Sequence, residues 1–130
     1  MKRAASLVNQ AAVSGGGGGV IVGEIATTTG TFVYDETDNS EQEVVELTIA
    51  GQLAIGSIWL DFVNVTQQTT IRAYHKIDGT NYRQFQENVW AVADDDGVLI
   101  EGFVAYSDVK ISLQCGGGGA GSVNVPYAVV

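Results

Sequence analysis

From Val20 to the C-terminus, apolar residues keep returning at every second position. Val45, Leu47 and Ile49 alternate with Glu46 and Thr48; Val109, Ile111 and Leu113 alternate with Lys110, Ser112 and Gln114; Val123, Val125, Tyr127 and Val129 alternate to the end. A period of two places neighbouring side chains on opposite faces of a strand, so each such stretch buries one face and leaves the other for solvent or a partner. About eight to ten short strands of this kind follow one another, separated by turn-forming Gly, Asp and Asn, with no helical period between them. The pattern predicts an all-β fold, an antiparallel β-sandwich of jelly-roll-like or immunoglobulin-like topology. Asp78-Gly79 is its strongest hairpin signal, because glycine there supplies a positive φ at little cost.

Two polyglycine runs interrupt the alternation, Gly15–Gly19 and Gly116–Gly119. Glycine loses the most backbone entropy on ordering, so the first run predicts a tether between a short leader and the body. The chain divides into an N-terminal arm and tether, residues 1–19, and a β-sandwich domain, residues 20–130. In the arm, Ala4, Leu7, Val8 and Ala11 fall at i, i+3, i+4 and i+7, a narrow apolar stripe on a segment too short to be a stable helix alone. Asn9 and Gln10 break the apolar stretch too early for a signal peptide. Pro126 sits within the last strand, where a missing amide proton predicts an edge strand, or a ladder completed by a neighbouring subunit. The expected contact residues are therefore Leu7 and Val8 of the arm and Val123, Val125, Tyr127 and Val129 of the last strand.

Composition narrows the partners. Only 16% of residues are charged, against 45% hydrophobic, where soluble domains carry roughly 25% charge. That balance suits either large buried faces or a surface partly covered by neighbouring copies. Net charge is −9, and without Lys2 and Arg3 the body keeps four Lys and Arg against fifteen Asp and Glu. Such a body repels phosphate backbones, which argues against nucleic acid as a partner. No stretch approaches the roughly 18 apolar residues of a membrane helix. Cys115 is the only cysteine, so no internal disulfide can form.

No catalytic, cofactor-binding or metal-binding residue is assigned. His75 is the only histidine; Tyr74 and Lys76 beside it point to the opposite strand face, and no serine lies in a G-x-S-x-G setting. Asp94-Asp95-Asp96-Gly97 lacks the alternate spacing of a calcium loop and reads as a solvated turn. The acidic run with Asp35, Glu36, Asp38, Glu41 and Glu43 reads as a solvated loop as well. Asp61, on an otherwise apolar strand, is the one carboxylate with an argument for burial, and its partner is not identifiable. Trp59, Trp90, Tyr74 and Tyr82 could in principle form a sugar-stacking platform, although scattered aromatics more commonly belong to a core or interface. Neither phosphate-binding glycine motif is present.

The segment Thr70 to Phe85, with Ile71-Arg72, Tyr74, Lys76, Asp78-Gly79 and Tyr82-Arg83 in fixed spacing, resembles a hairpin of small all-β accessory virion proteins of tailed bacteriophages and prophages. Asp108 to Gln114 is similar to the strand that follows it there. The resemblance spans about a third of the chain. It implies a non-enzymatic virion protein, first a capsid decoration or minor head protein docked on the major capsid protein or another virion protein. It further implies a homo-oligomer, a trimer first, and no catalytic residues. The alternative is a carbohydrate- or host-surface-binding module of a phage tail or fibre.

Overall fold

A computed structural model of the protein describes residues 22–24, 28–49 and 53–130. The arm and its glycine tether, with Leu7 and Val8, lie outside the described residues. Nine strands follow in order: β1 (Val22–Glu24), β2 (Thr28–Asp35), β3 (Glu41–Leu47), β4 (Leu53–Asp61), β5 (Thr69–His75), β6 (Arg83–Trp90), β7 (Gly97–Ala105), β8 (Val109–Cys115) and β9 (Ser122–Val129). No helix occurs among the described residues.

The strands form two sheets. One runs β7-β4-β9-β2, with β1 added beside the first part of β4; the other runs β3-β8-β5-β6. From β2 onward the chain alternates between sheets at almost every connection, and only β5 to β6 is a hairpin within one sheet. Eight strands so arranged make a jelly-roll β-sandwich, which decides between the two topologies that the alternation left open. β1 departs from the antiparallel rule: it pairs in parallel with β4, from Val22 opposite Leu53 to Glu24 opposite Ile55. It shares that edge of β4 with β9, which covers Ile58 to Leu60.

Alternation explains the core. Tyr34, Ile58, Leu60, Ile100, Val125 and Val129 reach inward from the first sheet, and Ile71, Ala73, Val109, Ile111 and Leu113 from the second, all buried. Each fully buried aliphatic side chain of this size stabilises by roughly 1.5–3 kcal/mol. Phe62 meets Trp90 edge-to-face at 5.0 Å between ring centres and closes the core beside the β4–β5 loop.

Several expectations change here. β9 is no edge strand: it lies between β4 and β2. Val125 and Val129, expected at a subunit contact, have no exposed surface and belong to the subunit's own core, while Val123 and Tyr127 pack against that core half-buried. The apolar run from Ile58 to Val65 is not one strand either. β4 stops at Asp61, and the chain turns, with Phe62 donating its amide to the Asp96 carbonyl at 2.8 Å. Gly79 does take positive φ, +78°, and the Asp78 carboxylate accepts the Thr80 and Asn81 amides.

The second polyglycine run is a packed corner. Glu36, 1% exposed, reaches from the β2–β3 loop into the β4–β5 loop, where its carboxylate accepts the Thr66 amide at 2.8 Å, the Thr66 hydroxyl at 2.7 Å and the Gln67 amide at 3.1 Å. Its backbone ties in the glycine loop, since the Gly119 amide donates to the Glu36 carbonyl at 2.8 Å and the Glu36 amide to the Gly121 carbonyl at 3.0 Å. The four glycines are therefore unequal. A Cβ on Gly119 would lie 2.4 Å from the Glu36 Cβ and 3.0 Å from its carbonyl oxygen, whereas one on Gly118 would meet nothing within 4 Å. Gly119→Ala should destabilise by about 1–3 kcal/mol through overpacking. Gly118→Ala should be neutral or slightly stabilising, because it only narrows the unfolded ensemble. Chemical denaturation of both variants checks this, and equal stability would show that the corner is not packed as described.

Candidate interaction surface

The outward faces of the two sheets differ in kind. On the first sheet, the register aligns Thr29, Ala128, Trp59 and Leu99 in one row across β2, β9, β4 and β7. Thr31 and Pro126 stand opposite each other beside it, as do Asp61 and Gly97. Trp59 is 41% exposed, Val33 61% and Val104 57%, so a tryptophan and two valines stand on this face uncovered by the subunit. Asp35, two residues beyond Val33 on β2, and Asp61, two beyond Trp59 on β4, bring carboxylates to this side.

Pro126 shapes the middle of the face. Val130 and Ser57 exchange backbone hydrogen bonds in both directions at 2.9 Å. Reciprocal pairs recur every second residue, so the amides of positions 128 and 126 point toward β4 as well. Pro126 has no amide proton to give, and the β9–β4 pairing ends one step earlier, at Tyr127 opposite Leu60. Beyond that point lies a hollow of about 510 Å³, lined by Thr29, Thr31, Trp59, Asp61, Pro126 and Ala128 among others. Asp61 turns back to accept the Val63 amide at 3.0 Å and stands exposed at the rim, not buried as its apolar strand suggested.

Across β3, β8 and β5 the second sheet covers its own outward face, while Phe85 and Val89 of its edge strand β6 stand 42% and 55% exposed. Glu41 of β3 accepts the hydroxyls of Tyr74 and Ser112, and Arg72 lies 3.2 Å from Glu41 and 2.7 Å from Glu87. Lys110 sits over the rings of both Tyr74 and Tyr82, at 5.1 and 4.7 Å from their centres, and Lys76 covers Tyr82 at 5.0 Å while pairing with Asp108 at 3.3 Å. Partial burial works to raise the Glu41 carboxyl. The Ser112 and Tyr74 hydrogen bonds and the Arg72 and Lys110 charges outweigh it and hold the group below the ordinary carboxylate range. Burial, then the hydrogen bond to Glu46, pushes the Tyr82 hydroxyl well above the usual tyrosine value. The polar hollow here, about 390 Å³, is lined by Glu41, Glu43, Tyr74, Tyr82, Lys110 and Ser112, and its ring faces already carry ammonium groups.

The four aromatics that could have formed one platform are thus dispersed. Trp90 is in the core, Trp59 faces outward on the first sheet, and Tyr74 and Tyr82 lie on the second. His75 is buried at the end of β5, with Nε2 accepting the Tyr106 amide at 3.4 Å and the two rings edge-to-face at 4.8 Å. Asp94 accepts the Ala91 amide, and the carbonyls of Asp95 and Asp96 accept the Trp90 indole and the Phe62 amide, which makes this acidic triplet a turn. Among the described residues, no three His, Cys, Asp or Glu are gathered to hold a metal ion. Cys115 ends β8 buried, its thiol donating to the Gly117 carbonyl at 2.7 Å. Glu36 escaped the sequence reading, because nothing in an acidic loop marks the one member that turns inward.

No family model and no curated protein sequence matches the chain. Solved structures do resemble it. A protein of Bacillus endospore appendages, described as disulfide-linked pili, superimposes at a TM-score of 0.52 with 12% identity, over 80% of this chain and 84% of that one. The Yersinia pseudotuberculosis-derived mitogen superimposes at 0.50 with 15% identity, over 81% and 83%. A chain of infectious bursal disease virus, Gx strain, reaches 0.40 with 17% identity, over 81% of this chain and 30% of its own, too loose a match to bear on function. At such identities the likeness shows a shared β-sandwich and nothing of activity.

His75 gives the fold a pH dependence. Burial lowers its pKa below the ordinary value of 6.5, so the unfolded chain binds the proton more readily than the folded one. Stability is then full above about pH 6.5 and declines as pH falls through the folded pKa. Denaturation midpoints measured between about pH 8 and pH 5 should fall on the acid side in the wild type. His75→Gln should flatten that window, and an unchanged slope would remove His75 as its cause.

Proposed function

We propose that this chain is a non-enzymatic structural protein of a virion, a capsid decoration or minor head protein, that works by contact through the outward face of its first sheet. One observation carries the reading: the middle of the second sheet spends its charges and tyrosines on itself, with Phe85 and Val89 exposed only on its edge strand β6, whereas the first presents Trp59 on its central strand β4, with Val33 and Val104, without cover. Interface cores lose charged residues and gain aromatic ones, with tryptophan prominent among the residues that dominate affinity. The low charged fraction of the chain supports the same reading, as does the resemblance of Thr70 to Phe85 to accessory virion proteins. The proposed partners are further copies of this chain and the major capsid protein, and the proposed location is the particle.

A second reading, a carbohydrate- or host-surface-binding module, draws on the exposed indole of Trp59 beside the Asp61 carboxylate and the Thr29 and Thr31 hydroxyls. An aromatic face with polar groups at its rim suits a pyranose ring.

Co-sedimentation of the full chain with particles separates the two. Wild-type protein should travel with particles in fixed stoichiometry. Trp59→Asp should weaken that binding by about 2 kcal/mol or more, roughly thirtyfold, with little change in melting temperature, since Trp59 lies outside the core. Saturable binding to a glycan, together with no affinity for particles, would replace the first reading by the second.

A further inference from the structure

We propose that the hollow beside Trp59 receives the N-terminal arm of a neighbouring copy, so that copies join head to tail. The inference rests on the contact reading above and names the occupant of that face.

Chemical fit is the first ground. The hollow has an apolar floor of Trp59, Pro126 and Ala128 with Asp61 at its rim. The arm offers Ala4, Leu7, Val8 and Ala11 in helical spacing, preceded by Lys2 and Arg3. Apolar stripe on apolar floor and cation on carboxylate are both satisfied by one short segment.

Charge supply is the second. The body has four cations, and each is committed within its own chain: Arg72 to Glu41 and Glu87, Lys76 to Asp108, Lys110 over two tyrosine rings, and Arg83 at 4.0 Å from Asp78. Among the described residues, Asp61 has no ion-pair partner. The cations remaining in the chain are Lys2 and Arg3.

Position is the third, and it favours a neighbour over the chain's own arm. β1 runs parallel to β4 with Val22 opposite Leu53, so the first described strand begins beside the starting end of β4. The hollow lies at the other end, around Trp59 to Asp61, roughly 20 Å away at about 3.3 Å per residue. To fill its own hollow an arm would have to double back along the length of β4, a constraint that an arm from a neighbouring copy does not meet. Such a contact is heterologous; it closes into a ring when the rotation between copies allows, a ring of three included, and otherwise extends into a chain.

Cysteine cross-linking of the full chain tests this. Leu7→Cys and Thr31→Cys are placed in two separate chains with tags of different size, mixed and oxidised. The mixture should give mainly the mixed dimer, and a chain carrying both substitutions should give a covalent ladder. Charge exchange gives a second measurement by sedimentation velocity. Lys2→Glu with Arg3→Glu should weaken self-association, as should Asp61→Arg, while all three together should recover part of it with melting temperatures unchanged. Cross-links confined within one chain would overturn the proposal, as would mixed dimers no more abundant than same-chain dimers. Particle binding is scored separately. Chains that bind particles without cross-linking overturn the arm contact alone; chains that cross-link without binding particles support it and remove only the docking on the shell.

Discussion

Glu36 sits where three loops meet. Its carboxylate takes the amides of Thr66 and Gln67 and the Thr66 hydroxyl, and its backbone is bonded to Gly119 and Gly121. Hydrogen bonds to a charged acceptor contribute roughly 1.5–3 kcal/mol each, and a buried donor left without its acceptor costs a similar amount. The corner therefore orders the β2–β3, β4–β5 and β8–β9 connections together. β5 starts from it at Thr69, whose hydroxyl meets the Tyr34 hydroxyl at 3.1 Å, and β9 starts from it at Ser122, opposite Asp35. Since a slip of one residue exchanges the two faces of a strand, a corner that fixes where β5 and β9 begin also fixes which residues look outward. The row through Ala128 and Trp59 is one consequence of that register.

Magnitudes decide how the two outward faces differ. Exposed ion pairs are worth about 0–1 kcal/mol each, so the network around Glu41 and Arg72 adds little to stability. Its larger effect is occupancy: ammonium groups lie over the tyrosine rings, and the carboxylates are held by hydroxyls and guanidinium. A ligand would first have to displace these partners. The first sheet offers no such competition around Trp59. Covering apolar surface there gains roughly 25 cal/mol per Å², so a partner that covers Trp59, Val33 and Val104 together gains several kcal/mol before its own ordering costs. That difference sets the networked middle of the second sheet apart from the uncovered face around Trp59.

Much of this was legible in the sequence, and the failures have physical causes. Alternation exposed the strands, the inward positions of β8, and the turn at Asp78-Gly79. It could not separate a jelly roll from an immunoglobulin-like sandwich, because both use the same local pattern and differ only in which distant strands pair. Pro126 announced a missing donor but not the side on which it was missing. The strand was read as an edge, when the proline instead ends one of its two ladders. Val125 and Val129 were displaced with it, from a contact into the core. Asp61 looked buried because its neighbours in sequence are apolar, yet its own position faces outward. Gly118 and Gly119 are identical as letters, and only the approach of Glu36 tells them apart.

The same proline connects the fold to its use. Had position 126 carried an amide proton, β9 could have continued its pairing to Asp61, and the row of Thr31, Pro126, Asp61 and Gly97 would have closed into flat sheet. Without it the two strands part, Asp61 is released to the rim, and a recess opens beside the largest exposed aromatic on that face. At the opposite end of β4, the parallel β1 begins beside Leu53. The subunit is therefore polar along β4, with the start of β1 at one end and a recess near the other. A β-sandwich alone has no preferred way to meet its copies; these two departures from a regular antiparallel sheet, a missing donor in β9 and a parallel strand on β4, are the features that the proposed head-to-tail contact uses.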